Sequence, residues 1–521
     1  LRFNFALALR FETKILTLSP YLVLGLIIAY FGMLVLVAWR TGSSQDNQSF
    51  FVAGRQAPWY LVAFGMIGAS LSGVTFVSVP GAVGAATGNN GFSYFQLVLG
   101  YFVGYQVIIH GLLPLYYRLN LTSIYGYLRL RFGPSTHYTG AAFFILSRTI
   151  GSSFRLYLVS MILDQLVLGP LGLPFWLTVT VTVALIWLYT FRGGMKTIVI
   201  TDTLQTMFLL LAVIFSVNAI AGELGWSWSD LWRSLIQGDL RTMPGPAASN
   251  PAETGTPMSQ IFFWDHSARN FWKMFLSGIF ITVVMTGLDQ DMMQKNLSCK
   301  SLSDARKNMF WFSIVLVLVN LLFLVLGYLL YAYVEAKGIP LPAKADMLFP
   351  TLAFEHLPVV AGLTFIIGLI AAAYSTADSA LAALTTSFCV DFLGFNESKG
   401  DVRTRKRVHL GMSLVLALQI ILFHTLHNES LITQLFTVAG YTYGPLLGMF
   451  AFGLFSRRSV RDRWVPAVAV ITPLLCYILK TNSARWLGGY EFGFELLILN
   501  GALNFAGLWL LSLPSTKPSH R

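Results

Sequence analysis

One apolar stretch of the chain carries hydroxyl groups at a spacing that could bind a small hard cation. Between Ala371 and Ala380 the sequence is Ala-Ala-Ala-Tyr-Ser-Thr-Ala-Asp-Ser-Ala, and helical spacing brings several of these residues to one face. Hard cations such as sodium prefer carbonyl and hydroxyl oxygens as ligands. The same hydroxyls could instead bond back to their own helix and allow close packing, so the residues alone leave both interpretations open. The face consists of Ala372, Ser375, Thr376 and Ser379.

Two aspartates within apolar segments could add negative charge to such a site. Asp378 shares a helix edge with Ser375 and Ser379, whereas Asp202 lies about one turn inside another apolar segment. An ionised carboxylate in mid-bilayer is costly unless it is paired or hydrated, so both are candidates for a second cation site. Asp202 could instead cap the start of a helix, and Asp378 could pair with an arginine. The candidate second site comprises Asp202, Ser375, Asp378 and Ser379.

Two arginines in a further apolar segment point to a negatively charged solute. Arg148 and Arg155 are seven residues apart, which places them on nearly one helical face, and Arg155 falls close to mid-membrane. A guanidinium binds a carboxylate through two parallel hydrogen bonds, so Arg155 in a transport pathway favours an anionic solute. The alternative is a structural ion pair with Asp378 or Asp202. Polar side chains that could join Arg155 around a solute are Thr75, Gln96, Thr282 and Tyr441.

These residues belong to a chain whose composition is typical of a membrane protein. Of its 521 residues, 55% are hydrophobic and 11% are charged, whereas soluble chains contain about 25% charged residues. The basic residues behind the net charge of +12 lie in short connections, which indicates membrane orientation and not nucleic-acid binding. We predict an all-α polytopic membrane protein with about thirteen transmembrane helices. They lie near residues 20–39, 59–83, 91–117, 137–166, 174–190, 197–221, 270–288, 308–334, 358–391, 407–426, 430–456, 463–480 and 494–513.

Lysine and arginine are concentrated in alternate connections of this map, which predicts its orientation. The N-terminus is expected outside and the C-terminus in the cytoplasm, in the plasma (inner) membrane. Residues 1–19 then form an extracytoplasmic segment, residues 20–513 the transmembrane transporter domain, and residues 514–521 a cytoplasmic tail.

The second predicted helix contains a segment that weakens helix continuity. Between Gly68 and Gly81 it combines small residues, hydroxyls and a proline in mid-membrane. Unwound backbone at that depth must face protein, ions or water, so this segment could supply carbonyl ligands to a cation. The alternative is a proline kink with close packing through glycine and serine.

Several stretches, in this order, resemble the sodium:solute symporter family. The similarity runs from Tyr21 to about Phe455 and implies a LeuT-type fold. In that fold two inverted five-helix repeats, about 59–221 and 270–456, follow one helix and precede two others. The stretches are Phe50–Arg55, Thr122–Gly133, Tyr189–Met195 with Thr201–Gln205, Asp289–Lys295 with Ser301–Arg306, and Gly440–Gly448.

The resemblance also implies which residues bind sodium. The family site uses two carbonyls of the broken helix together with a carbonyl and two hydroxyls of the ninth span. Some members bind a second sodium through a sixth-span aspartate and ninth-span hydroxyls. Asp378 stands where such members tend to have serine, so this helix could hold one ion, two ions, or one ion beside an Arg155 ion pair. The first site, carried over to this chain, is Gly73, Phe76, Ala372, Ser375 and Thr376.

The function that the resemblance implies is sodium-coupled symport of a small organic solute by alternating access. Sodium is then the coupling ion, no other cofactor is needed, and the expected partners are the solute, sodium and the bilayer. Val79 and Pro80 disfavour a hexose, and Arg155 favours a carboxylate-bearing solute. The alternatives are a proton-coupled or uncoupled carrier and a transporter-like sensor. An enzyme is not expected, because the predicted spans lack a nucleophile beside a base and a histidine-rich metal cluster.

Overall fold

The structure is a computed structural model that describes residues 20–41, 46–84, 91–240, 256–265, 267–396, 400–425, 431–490 and 492–513. These residues are helical almost throughout, as the sequence predicts. Two short strands, β1 (Ser459–Val460) and β2 (Ser512–Leu513), pair antiparallel. The predicted segment 1–19 and the predicted tail 514–521 lie outside the described residues.

The helices of the N-terminal half follow the predicted apolar segments. They are α1 (Pro20–Thr41), α2 (Asn47–Val52), α3 (Trp59–Ser70), α4 (Gly73–Ala82), α5 (Tyr94–Val107), α6 (Leu113–Arg118), α7 (Gly126–Arg131), α8 (Pro134–Leu163), α9 (Phe175–Glu223) and α10 (Trp228–Gln237). Gly194 interrupts the long α9 between two predicted spans, because its φ of +50° is outside the helical range. A side chain at Gly194 would overlap Phe50, so only glycine fits this turn.

The helices of the C-terminal half also match the predicted segments. They are α11 (Phe271–Thr282), α12 (Gln290–Leu297), α13 (Leu302–Lys337), α14 (Leu348–Glu355), α15 (Val359–Ser387), α16 (Val402–His424), α17 (Leu431–Phe455), α18 (Val465–Trp486) and α19 (Leu496–Leu510). In the described part of the chain eight helices are long and apolar enough to cross a membrane, or ten if each bent pair counts as one span. The number thirteen stays a prediction.

The predicted interruption of the second span is confirmed. Helices α3 and α4 meet at an angle of 56°, and the helix breaks at Leu71 and Ser72. The last carbonyls of a helix have no partner within it. The break therefore leaves carbonyl oxygens of the final turn of α3 available to other groups.

A second broken helix was not predicted. Helix α11 continues through a π turn to Gly287, and α12 follows at an angle of 63°. The sequence prediction ended this span at residue 288 and assigned Lys295 to a cytoplasmic loop. That assignment was wrong, because Asp289, Asp291 and Lys295 lower the hydropathy of a segment that the structure buries completely.

Helix α15 lies at the centre of the helix bundle. It packs against α9, α8, α3 and α4, and every residue from Gly368 to Ser387 is buried. Alanine, serine and glycine at the interfaces allow this close approach. A side chain at Gly68 of α3 would overlap Thr206 and lie 3.1 Å from the Ser375 hydroxyl. The hydroxyl face predicted for α15 is therefore pressed against the end of α3.

Candidate functional site

The hydroxyls of α15 meet the broken end of α3. Thr376 Oγ1 is 3.0 Å from the carbonyl oxygen of Ala372 and 3.3 Å from that of Ala69, within hydrogen-bonding distance of both. Ser375, one position earlier, donates its hydroxyl proton to Asp202 Oδ1 over 2.9 Å. Carbonyl and hydroxyl oxygens of two helices thus converge at the break, which is the ligand chemistry of a hard cation.

The two carbonyls expected from the broken helix, those of Gly73 and Phe76, stay a prediction. Gly73 and Phe76 belong to α4, after the break, and the Phe76 carbonyl lacks its usual partner in the helix because residue 80 is proline and has no N–H. The Phe76 ring packs among Phe323, Phe349 and Phe365. The oxygen that α3 brings to Thr376 is that of Ala69, which lies in the last turn before the break, where helix carbonyls lack partners within the helix.

A buried ion pair occupies the candidate second cation site. Lys295 Nζ lies 2.6 Å from Asp202 Oδ2, and both side chains are almost inaccessible to solvent. Asp202 therefore neither caps a helix start nor pairs with an arginine, the two alternatives left open by the sequence. Its two oxygens bind the ammonium group of Lys295 and the hydroxyl of Ser375.

Asp378 is fully buried beside this pair. Its Oδ2 accepts a hydrogen bond from Tyr189 at 2.9 Å, and its Oδ1 accepts one from the Ser379 backbone N–H at 2.5 Å. The Ser379 hydroxyl donates to the Ser375 carbonyl at 3.1 Å. The ion pair with Arg155 considered from the sequence does not occur among the described contacts of either residue. Ser375, Asp378 and Ser379 therefore lie together on α15, and the partner of Asp378 is the phenol of Tyr189.

The two arginines of α8 have different environments. Arg148 forms a close ion pair with Asp291 and lies 3.7 Å from Asp289. Asp289 also accepts a hydrogen bond from Tyr443 at 2.5 Å and caps α12 through the Asp291 N–H. Arg155 has no hydrogen bond or ion pair in the described part of the chain, and its Nε is buried without a partner.

Sequence reasoning missed the charged side chains of α12 because it placed them in a loop. Asp291 and Lys295 are four residues apart, so a helix turns both toward the same side, where they meet Arg148 and Asp202. That spacing was the signal in the sequence.

A cavity lies between the two broken helices. The cavity is open on one side, and the space within it, counted out into solvent, is about 740 Å³. Of the candidate solute-binding residues, the structure brings Thr75, Arg155 and Thr282 together in its lining. The other polar lining residues include Ser72, Tyr94, Tyr101, Tyr105, Thr286 and Asn320.

Gln96 does not line this cavity and instead forms hydrogen bonds with the loop before α11. Its amide nitrogen donates to the Arg269 carbonyl at 2.8 Å, and its amide oxygen accepts from the Phe263 N–H at 3.2 Å. The same loop is braced by Asp265, which accepts bonds from Ser267 and Arg269. Burial alone would raise the pKa of Asp265, but the Ser267 hydroxyl and the charge of Arg269 hold that pKa below its usual value.

Tyr441 also lies away from the cavity lining. Its ring is 6.2 Å from that of Tyr477 on α18, centroid to centroid, and the ammonium of Lys480 is 6.0 Å from its face. Its carbonyl accepts a bond from Asn500 on α19. Tyr441 therefore joins α17 to the last two helices.

Hydrogen bonds close the bundle at the break between α11 and α12. Tyr116 donates to the Gly287 carbonyl and Tyr125 to the Leu288 carbonyl, each over 2.9 Å. Gln290 bonds the backbone between Thr122 and Ile124. These contacts tie the connection before α8 to α12, at the membrane side that was predicted to be cytoplasmic.

Comparisons with known proteins agree with this architecture. The model of the sodium:solute symporter family matches residues 50–462. The sodium/sialic acid symporter NanT of Aliivibrio fischeri is 24% identical over 484 residues, covering 90% of this chain and 89% of that protein. The human sodium-coupled monocarboxylate transporter 1 is 25% identical over 454 residues, covering 82% and 68% respectively.

Solved structures show the same fold. A sodium-coupled sialic acid symporter in its substrate-bound outward-open state superposes with a TM-score of 0.77 at 17% identity, covering 94% of this chain and 97% of that one. Mhp1, a nucleobase-cation-symport-1 family transporter, superposes in its closed conformation with a TM-score of 0.54 at 14% identity, covering 89% and 94%.

Proposed function

The chain belongs to the sodium:solute symporter family, and from that premise we propose that its solute is a small organic acid bound through its carboxylate to Arg155. The protein is an integral membrane protein of LeuT-type fold and a sodium-coupled symporter. It is a transporter and not an enzyme, and sodium is its coupling ion. The proposal concerns the solute and the residues that bind it.

The observation that carries the proposal is the guanidinium of Arg155, which has no acidic partner among the described residues and lines the cavity. A charge in such a position is costly unless a ligand or water solvates it. Arg148 on the same helix is neutralised by Asp291 and is not free to bind an anion. A carboxylate would give Arg155 the bidentate partner that its fork geometry fits. Relatives named for sialic acid and for monocarboxylates support an acid as the solute.

For the coupling ion we propose a site at the end of α3. The carbonyls of Ala69 and Ala372 and the hydroxyls of Ser375 and Thr376 provide its oxygens. Ala69 also belongs to the cavity wall, so ion and solute contact the same broken helix. Sodium would stabilise the conformation in which this wall is assembled, and the solute would bind that conformation more tightly. This shared wall is the physical link between ion and solute.

We further propose that residues 59–221 and 270–456 form the two inverted repeats. The presence of one broken helix in each, α3 with α4 and α11 with α12, supports this division. The concentration of basic residues in alternate connections supports an external N-terminus and a cytoplasmic C-terminus in the plasma (inner) membrane.

Thermal unfolding of the purified protein tests the proposal. The probes are N-acetylneuraminate and L-lactate, with the methyl ester of the first and the amide of the second as neutral controls, in sodium chloride or choline chloride at one pH. We expect at least one acid to stabilise the protein in sodium and not in choline, and its neutral control to have no effect. Stabilisation by an ester or amide would contradict carboxylate recognition. Equal stabilisation by an acid in choline would favour a proton-coupled or uncoupled carrier.

A further inference from the structure

A cation supplied by the protein itself lies among the residues of the candidate second sodium site. We propose that the Lys295 ammonium is the permanent occupant of that site, so that this chain couples transport to one sodium ion and not two. The inference rests on the proposed sodium site at Ala69, Ala372, Ser375 and Thr376. It assigns the neighbouring site, formed by Asp202, Ser375, Asp378 and Ser379, to the lysine.

Both carboxylate oxygens of Asp202 already bind groups of the protein. Its Oδ2 lies 2.6 Å from Lys295 Nζ, and its Oδ1 accepts the proton of Ser375 over 2.9 Å. A sodium ion bound by Asp202 would have to displace an ammonium group of the same charge from a site that water does not reach. Lys295 has 1% of its surface exposed, so it cannot swing into solvent to make room.

The bend before α12 explains how the lysine reaches this place. α12 departs from the axis of α11 by 63°, and its residues from Gln290 to Leu297 are all buried. Lys295 lies in its last turn and extends to Asp202 on α9. A straight continuation of α11 would not turn this side chain into the bundle, so the second broken helix delivers the cation.

The positive charge of Lys295 also offsets the negative charge of Asp378 on α15. Asp202 and Lys295 are the charged groups whose fields act on Asp378, and Asp378 is fully buried with Tyr189 and a backbone N–H as its hydrogen-bond donors. The ammonium of Lys295 pairs with Asp202 and is the cation whose field reaches Asp378. Removing the lysine charge leaves two carboxylates near the hydroxyls of Ser375 and Ser379, which is a ligand set for a hard cation.

The Ser375 hydroxyl connects the two positions. Because it donates its proton to Asp202, its lone pairs are directed away from that carboxylate and remain available to an ion at the first site. The Lys295–Asp202 pair thus holds in one orientation a hydroxyl that the first site needs. A purely structural ion pair would stabilise the fold but would have no effect on the number of ions bound.

Equilibrium binding of radiolabelled sodium to the purified full-length protein tests the inference. We expect one ion per chain for the wild type and for Lys295→Arg, which keeps the charge. Lys295→Met removes the charge at similar length and should bind two. The double variant Lys295→Met with Asp378→Ser removes one positive and one negative charge and should also bind two ions. It keeps the test valid if Lys295→Met alone does not fold. Adding Asp202→Asn to Lys295→Met should return the count to one.

Each count has a distinct meaning. Two ions on the wild type would overturn the role of Lys295 and leave the proposed function intact. No ion on the wild type would defeat the proposed sodium site and this inference together. One ion on the wild type, on Lys295→Met and on Lys295→Met with Asp378→Ser would show that the lysine replaces no sodium, and would also overturn the inference.

Discussion

Arg148 and Arg155 lie on one helix, yet the structure predicts opposite consequences for their replacement by methionine. Arg148→Met leaves Asp291 buried without its cation, and removing one partner of such a pair costs about 3–5 kcal/mol. Arg155→Met breaks no ion pair of the described residues, so we expect the free energy of unfolding to change by less than about 0.5 kcal/mol. The two variants therefore separate a structural arginine from a binding arginine.

Solute affinity should fall strongly when Arg155 is replaced. A carboxylate held by two charge-assisted hydrogen bonds gains about 1.5–3 kcal/mol from each. Arg155 is only partly buried, so the lower figure applies, and Arg155→Met should lose about 3 kcal/mol, or about 150-fold in Kd. Arg155→Lys keeps the charge and one bond, and should lose about tenfold.

Two measurements on the same preparations check these values. Thermal unfolding in sodium chloride without solute reports stability, and binding of whichever acid stabilises the wild type reports affinity. Only Arg148→Met should lower the unfolding midpoint by several degrees. If Arg155→Met lowers it equally, Arg155 has a structural role and the reasoning from its missing partner fails. An unchanged Kd for Arg155→Met would refute carboxylate binding at this residue.

Three further variants test the ion site, the packing of α3 and the loop that contains Asp265. Thr376→Ala removes a proposed sodium ligand and should raise the half-saturating sodium concentration about tenfold or more. Thr364→Ala is the control and should leave that concentration unchanged, because among the described residues the Thr364 hydroxyl bonds only to its own helix. Gly68→Ala would overlap Thr206 of α9 and should push α3 out of its place beside α9 and α15, which should abolish sodium-dependent stabilisation, whereas Gly25→Ala, with nothing within 4 Å, should not. Asp265 has a folded pKa below its unfolded one, so its contribution to stability is present at neutral pH and is lost as pH falls through the folded value. Asp265→Asn should therefore lower the unfolding midpoint at pH 7, and its difference from wild type should vanish in acid, as a pH series of melting curves would show.

Local patterns were sufficient for most of the helices and for the buried face of α15. Alanine and serine at helical spacing identified the buried face of α15, and small residues with a proline identified the break after α3. These are properties of neighbouring residues. Hydropathy and helical periodicity register them directly, so they can be read without knowing the fold.

Long-range pairing could not be obtained in the same way. Lys295 pairs with Asp202, which lies 93 residues away in the sequence. The charged residues of α12 lower its hydropathy, and their partners are on other helices. The choice between Ala69 and Gly73 depended on where the helix breaks to within a few residues. Gln96 and Tyr441 have suitable chemistry but face other neighbours, which residue type does not reveal.

The burial of α15 on every side limits how such a protein can diversify. An ordinary amphipathic helix tolerates substitutions at every third or fourth position, where it faces solvent or lipid. From Gly368 to Ser387 this helix has no such position, so a scan of all substitutions should give an unbroken intolerant stretch without helical periodicity. New solute preferences would then have to arise on the cavity walls formed by other helices, while α15 changes only together with its neighbours.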